Sequence, residues 1–161
     1  MKIGLISDTH DHLQHIRLAA GIFKERGVDL VIHAGDFCSP PAALALEGLP
    51  VAAVFGNNDG EKLGMAKMFQ RIEGRLEGDF LEVESEAGPV AVYHGTVAAI
   101  LESLIQCGKY RAVVSGHTHK PVNEQVGKTL VLNPGSAHGF GGAATVMVVD
   151  LVSGAAELIE L

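Results

Sequence analysis

The sequence predicts an α/β fold of two packed sheets with helices outside them. Three observations carry this expectation. Short apolar runs alternate with amphipathic stretches through the first half of the chain. After Gly116 the helical period disappears, and strands alternate with turns. No linker-like stretch separates the two halves. The strand–helix rhythm at the front implies parallel pairing with right-handed crossovers.

Lys2 to Ser7 reads as a buried strand. Asp11 is expected to cap a helix reaching about Arg26, with Gln14 as its capping-box partner and Gly27 as its terminator. Leu30 to His33 forms the second strand. Ser39 and Pro40 open a short helix that closes near Gly48, because proline is tolerated in a first turn. Val51 to Phe55 is the third strand, and Glu61 to about Arg71 is helical. Phe80 to Glu84 and Val90 to His94 are strands joined by a turn at Gly88-Pro89. Val97 to Gln106 is an apolar helix ended by Gly108. Ala112 to Ser115, Val122 to Val126, Thr129 to Asn133, Thr145 to Asp150 and Ala156 to Ile159 complete the strands.

The composition sets the limits. At 161 residues, 47% hydrophobic and 19% charged, the chain suits one domain, residues 1–161, and is not disordered. Charges such as Glu47 and Asp150 keep every apolar run below the roughly 18 residues of a membrane span. Asp8 follows the start too soon for a signal peptide, so no membrane partner and a cytoplasmic location are expected. A formal net charge of −7 argues against gripping a nucleic-acid polymer by charge. A phosphate-directed protein of this charge needs a positive centre that its side chains do not supply. Cys38 and Cys107 show no paired spacing and read as small buried hydrophobes.

The chain has eight histidines, and their placement is informative. Five polar clusters each follow an expected strand: Asp8-Thr9-His10, Gly35-Asp36, Gly56-Asn57-Asn58-Asp59, His94-Gly95 and Gly116-His117-Thr118-His119. Loops at the carboxyl ends of strands converge on one crevice in open α/β sheets. Imidazole with carboxylate suits first-row divalent metals. Alternate residues of an extended segment share a side, so Asp8-x-His10 and His117-x-His119 each aim two ligands at one place. Asp8, His10, Asp36, Asn57, His94, His117 and His119 are too many for one tetrahedral ion. They suit two ions sharing a carboxylate, with Asp36 as the natural bridge. Two divalent ions bring four positive charges, and the two carboxylates with a hydroxide remove three, leaving a positive pocket. His33 reads as a packed or supporting histidine. His12 and His15 read as solvated at a helix start. His12, Asn58 and His138 are the candidates for touching substrate. Asn58 and Asp59 also suit a turn.

In this order the clusters resemble the calcineurin-like metallophosphoesterase family, whose pattern is D-x-H, G-D, G-N-x-(D/E), histidine-glycine and G-H-x-H. The match runs from Lys2 to about Ser136, including Asn133-Pro134-Gly135-Ser136, and looks most like the small bacterial and archaeal phosphodiesterases. The resemblance implies a four-layer αββα sandwich of two mixed sheets. It implies two divalent ions per chain, Mn, Ni, Fe or Zn. One would take Asp8, His10, Asp36 and His119, and the other Asp36, Asn57, His94 and His117. It also implies a possible homodimer. This chain departs from the family in two places: Asn58 stands where many members have a histidine that helps protonate the leaving group, and Thr96 stands where some have a second histidine.

The expected function is metal-dependent phosphodiester hydrolysis of a small substrate, with a bridging hydroxide attacking phosphorus in line. Asp36, Asn57, Asp59 and His94 carry the chemistry, Asp59 by orienting its neighbours. The alternatives are a phosphomonoesterase acting on a small metabolite or nucleotide, and a catalytically weak metal-binding scaffold for protein partners.

Overall fold

A computed structural model describes all 161 residues. The elements in chain order are β1 (Lys2–Ile6), α1 (Leu13–Glu25), β2 (Leu30–His33), α2 (Pro40–Leu44), β3 (Val51–Ala53), α3 (Lys62–Arg71) and β4 (Arg75–Leu76). They continue with β5 (Phe80–Val83), β6 (Val90–Tyr93), α4 (Ala98–Gln106), β7 (Ala112–Val114), β8 (Val122–Val126), β9 (Thr129–Asn133), β10 (Thr145–Asp150) and β11 (Ala156–Glu160).

The strands form two mixed sheets, ordered β11-β10-β1-β2-β3-β4 and β5-β6-β7-β9-β8. In the first, β1 to β4 run parallel while β10 pairs antiparallel with β1. In the second, β6, β7 and β9 run parallel between antiparallel edge strands. The back half therefore does not form a sheet of its own. Its last hairpin returns to β1 and gives the first sheet an edge.

The two-residue period of the strands separates the layers. Ile3, Leu5, Ile32, Val54 and Met147 face Val92, Val114 and Leu132 in a core between the sheets. Ile6, Val31 and Ala53 point the other way and pack with Ile16, Phe23, Met65 and Phe69 of the helices. A third small core joins Ala91, Val113 and Tyr110 to Leu101, Leu104 and Ile105 of α4. Helices thus cover both outer faces, giving four layers. Gly4 is required on β1, since a Cβ there would lie 2.6 Å from the Phe23 ring.

Several local expectations change. The N-cap of α1 is His12, whose Nδ1 accepts from the His15 N–H at 3.3 Å. Asp11 is committed elsewhere, accepting from Ser39 N and Oγ at 3.0 and 2.7 Å. His12 and His15 are half-buried and stacked at 3.7 Å rather than solvated. The cysteines are not buried hydrophobes. Cys107 caps the exposed end of α4, and Cys38 is half-buried in the loop after β2. Strand β4 has only two residues, too few to leave a period. No helix is long and apolar enough to cross a membrane.

Candidate metal centre

The loops after β1, β2, β3, β6 and β7 meet at one edge of the two sheets. Each starts where a parallel strand ends, so the chain direction of β1–β3 and β6–β7 brings their carboxyl ends together. Nine non-glycine residues have positive φ, and five of them are Asp8, His10, Asp36, His117 and His119. Asp and His tolerate this region better than most residues, yet clustering there marks a site that the surroundings over-determine.

Asp36 is at the centre. Its Oδ2 lies 3.5 Å from His10 Nε2 and 3.4 Å from His94 Nε2. Asn58 binds the same carboxylate, through its N–H to Oδ1 at 2.8 Å and its Nδ2 to Oδ2 at 2.7 Å. Asn58 therefore turns toward Asp36 rather than being a free donor for substrate. Burial pushes the Asp36 carboxyl up, but the His94 and Asn58 hydrogen bonds outweigh it and hold the group well below the usual carboxylate range. Asp8 moves the other way. Burial raises it, and the Ser7 hydroxyl at 2.6 Å only partly offsets that.

The histidines are oriented through their other ring nitrogens. His94 Nδ1 is 2.7 Å from Ala34 O, and its Nε2 is 3.1 Å from Asn57 Oδ1. His10 Nδ1 is 3.3 Å from Cys38 Sγ, leaving Nε2 toward the centre. Burial lowers the His94 imidazole, but Asp36 more than compensates and raises it. His119 Nε2 is 3.2 Å from Asp8 Oδ1. The His117 N–H donates to Asp8 Oδ2 at 3.0 Å, and its ring is 5.2 Å from that of His94.

Donor atoms of Asp8, His10 and His119 all lie within 4.8 Å of one another, as do those of Asp8, Asp36 and His94. Asp8 thus enters both groups, whereas the sequence pattern assigned sharing to Asp36 alone. Asp8 Oδ1 and His10 Nε2 are buried without a hydrogen-bond partner. Such atoms are costly to leave unpaired. A nitrogen and oxygen donor set with unpaired buried atoms suits divalent ions.

Asp59 is buried beneath the centre. Its carboxylate accepts from the N–H groups of Asp36 at 2.9 Å, Cys38 at 2.8 Å and Gly56 at 2.7 Å. It ties the Asp36 loop to the Asn57 loop and touches the ligands only through backbone. His33 is fully buried, stacked on Phe37 at 3.4 Å and bonded to Thr9 and Gly35, which is a packed role. His12 and His138 lie beside the cluster, 5.4 Å apart, and His138 is 6.2 Å from His10. Phe140 was not singled out by sequence. It stacks on His119 and His138 at 4.7 and 4.1 Å and meets His10 edge-on at 4.7 Å. Its position in a glycine-rich turn leaves no periodic signal.

Residues 1–154 match the family model of the calcineurin-like phosphoesterase superfamily domain. The chain belongs to this superfamily. Among its superfamily relatives, a phosphodiesterase of Methanocaldococcus jannaschii is 41% identical over 154 residues, 93% of each chain. A probable metallophosphoesterase of Methanothermobacter thermautotrophicus is 33% identical, covering 84% of this chain and 77% of its own. The solved structure of an archaeal phosphodiesterase superposes with a TM-score of 0.94 at 38% identity over the whole of both chains. A phosphoesterase from E. coli shares the fold at a TM-score of 0.74 and 21% identity, covering 99% of this chain and 98% of its own.

Proposed function

We propose that this protein is a metal-dependent phosphodiesterase acting on a small phosphodiester, with two divalent ions per chain. The observation that carries the reading is the convergence of buried ligand atoms that make no hydrogen bond, Asp8 Oδ1 and His10 Nε2, with the Nε2 atom of His119 and an Asp36 carboxylate held in its charged form. The phosphodiesterase relative at 41% identity and the solved archaeal phosphodiesterase structure at 38% favour the diester over the monoester. One ion would take Asp8, His10, Asp36 and His119. The other would take Asp36, Asn57, His94 and His117, with Asp8 within reach of both. The reading includes one catalytic domain over residues 1–161, a cytoplasmic location and a homodimer. Sedimentation of the metal-loaded protein tests the last.

When bound, such ions supply Lewis acidity, lowering the pKa of a water and neutralising phosphoryl charge. The chain supplies the rest. Asp36 and Asp8 present carboxylate oxygens, and Ala34 O and Cys38 Sγ fix which nitrogen of His94 and His10 faces the centre. Asp59 holds the two loops in register. Water adds across one P–O bond, giving a phosphomonoester and an alcohol. No serine or cysteine nucleophile is needed. Asn58 is no acid near neutral pH, which favours alcohols that depart without protonation.

The test is hydrolysis of an aryl phosphodiester and its monoester by chelator-stripped protein, with Mn, Ni or Zn restored. Metal-dependent diester turnover is expected. Faster monoester turnover would replace the reading with a phosphomonoesterase. Metal uptake without turnover on either ester would favour the scaffold.

A further inference from the structure

A cavity of about 400 Å³ opens beside the metal centre and shares Asn57 and Asp59 with it. Its volume is in the range of pockets that hold small organic ligands. One wall is apolar: Phe55, Tyr93, Val97 and Ile100. The Tyr93 hydroxyl accepts from the Val97 N–H at 2.9 Å, which fixes the ring beside Val97. Val97 and Ile100 are 48% and 47% exposed, and α4, which carries Ile100, buries none of its residues. Apolar groups are thus left open to water where they border the reacting centre.

The charged groups of the cavity are countered. Asp59 is spent on three backbone N–H groups. Lys62 Nζ lies 3.8 Å from Asp79 Oδ1 and 4.9 Å above the Phe55 ring. Thr96 adds a neutral group. The lining has one lysine against two carboxylates, so it offers no surplus of positive charge to a second phosphate. A wall of two aromatic and two aliphatic side chains suits a flat uncharged ring.

We infer that this cavity is the subsite for one ester group of the substrate, and that the group is an uncharged planar ring, aryl or heteroaryl. The inference rests on the phosphodiesterase reading and names the class of diester that the site takes.

The test is equilibrium binding of diphenyl phosphate and dimethyl phosphate to the manganese-loaded full chain by calorimetry, with metal content measured in each preparation. Diphenyl phosphate is expected to bind at least about tenfold more tightly, a difference of about 1.4 kcal/mol. Ile100→Asp, at a half-exposed position, is expected to remove most of that preference while metal content stays at the wild-type level. Val97→Asp is expected to act the same way. Equal affinity for the two esters in wild type would overturn the subsite, and so would an unchanged preference in both variants. Turnover of an aryl diester is scored separately. Ring preference without turnover would remove the hydrolytic reading and keep the subsite, and turnover without ring preference would do the reverse.

Discussion

Replacing Asp59 with asparagine tests how the centre is held together. The wild-type carboxylate accepts three backbone N–H bonds, two at Oδ2 from Asp36 and Gly56 and one at Oδ1 from Cys38. The amide keeps one acceptor oxygen. Set at the Oδ2 position, it retains two bonds, and its NH2 then meets the Cys38 N–H donor to donor. The stranded donor costs about 1–3 kcal/mol, and the two retained bonds each lose about 1 kcal/mol on passing from charged to neutral acceptor. The total is about 3–5 kcal/mol, a large share of a typical stability of about 5–15 kcal/mol. Urea unfolding of wild type and Asp59→Asn in chelator gives this directly. Metal content is expected to fall as well, because the Asp36 and Asn57 loops lose their common anchor. A destabilisation below about 1 kcal/mol would refute the argument that this carboxylate binds the two loops into one frame.

Other predictions concern the ligands, their spacing and a buried histidine. Asp36→Asn and His117→Ala are expected to abolish diester turnover while far-ultraviolet circular dichroism keeps its wild-type shape; turnover with normal metal content in both would remove them from the site. Gly56→Ala would place a Cβ 2.5 Å from Asp36 N and 2.8 Å from Asp36 Cγ. It is expected to cost about 1–3 kcal/mol in unfolding and to reduce kcat about a hundredfold through displacement of Asp36. His33 is fully buried, and burial holds its imidazole well below the ordinary value of 6.5. The unfolded chain therefore binds this proton first, so stability is lost as pH falls below about 6.5, by up to about 1.4 kcal/mol per pH unit. His33→Asn removes that slope, and metal-free urea midpoints from pH 7.5 to 5.5 for the two proteins check it.

What the sequence revealed was whatever lay next to its own strand. Asp8, Asp36, Asn57, His94 and His117 each follow an apolar run, so placing the strand places the residue at the strand's end. Contacts between distant segments were not legible. Asp11 looked like a helix cap because its partner Ser39 is 28 residues away, and the cap passed to His12. Cys38 read as a core residue because nothing local shows that it meets His10. The return of β10 to β1 pairs Met147 with Leu5, a register fixed by packing across the whole chain. Phe140 sits at positive φ among glycines, where no hydrophobic period exists to point at the histidines it stacks on.

The same geometry explains how an acidic chain can attract an anionic ester. The formal charge of −7 sets the field far from the protein, but salt screens it within about 8–10 Å. Inside the crevice the acids are already accounted for. Asp59 faces backbone N–H groups, Asp79 faces Lys62, and Asp8 and Asp36 face the ligand cluster. The two divalent ions proposed there would outweigh the two carboxylates by two positive charges, and a low-dielectric wall would keep that field local. Attraction and chemistry then have one source, and a chelator is expected to remove both at once. A protein that drew its substrate with surface lysines would lose binding steadily with salt. Here binding is expected to follow metal occupancy, and the loops fixed by Asp59 to decide whether that occupancy can be reached.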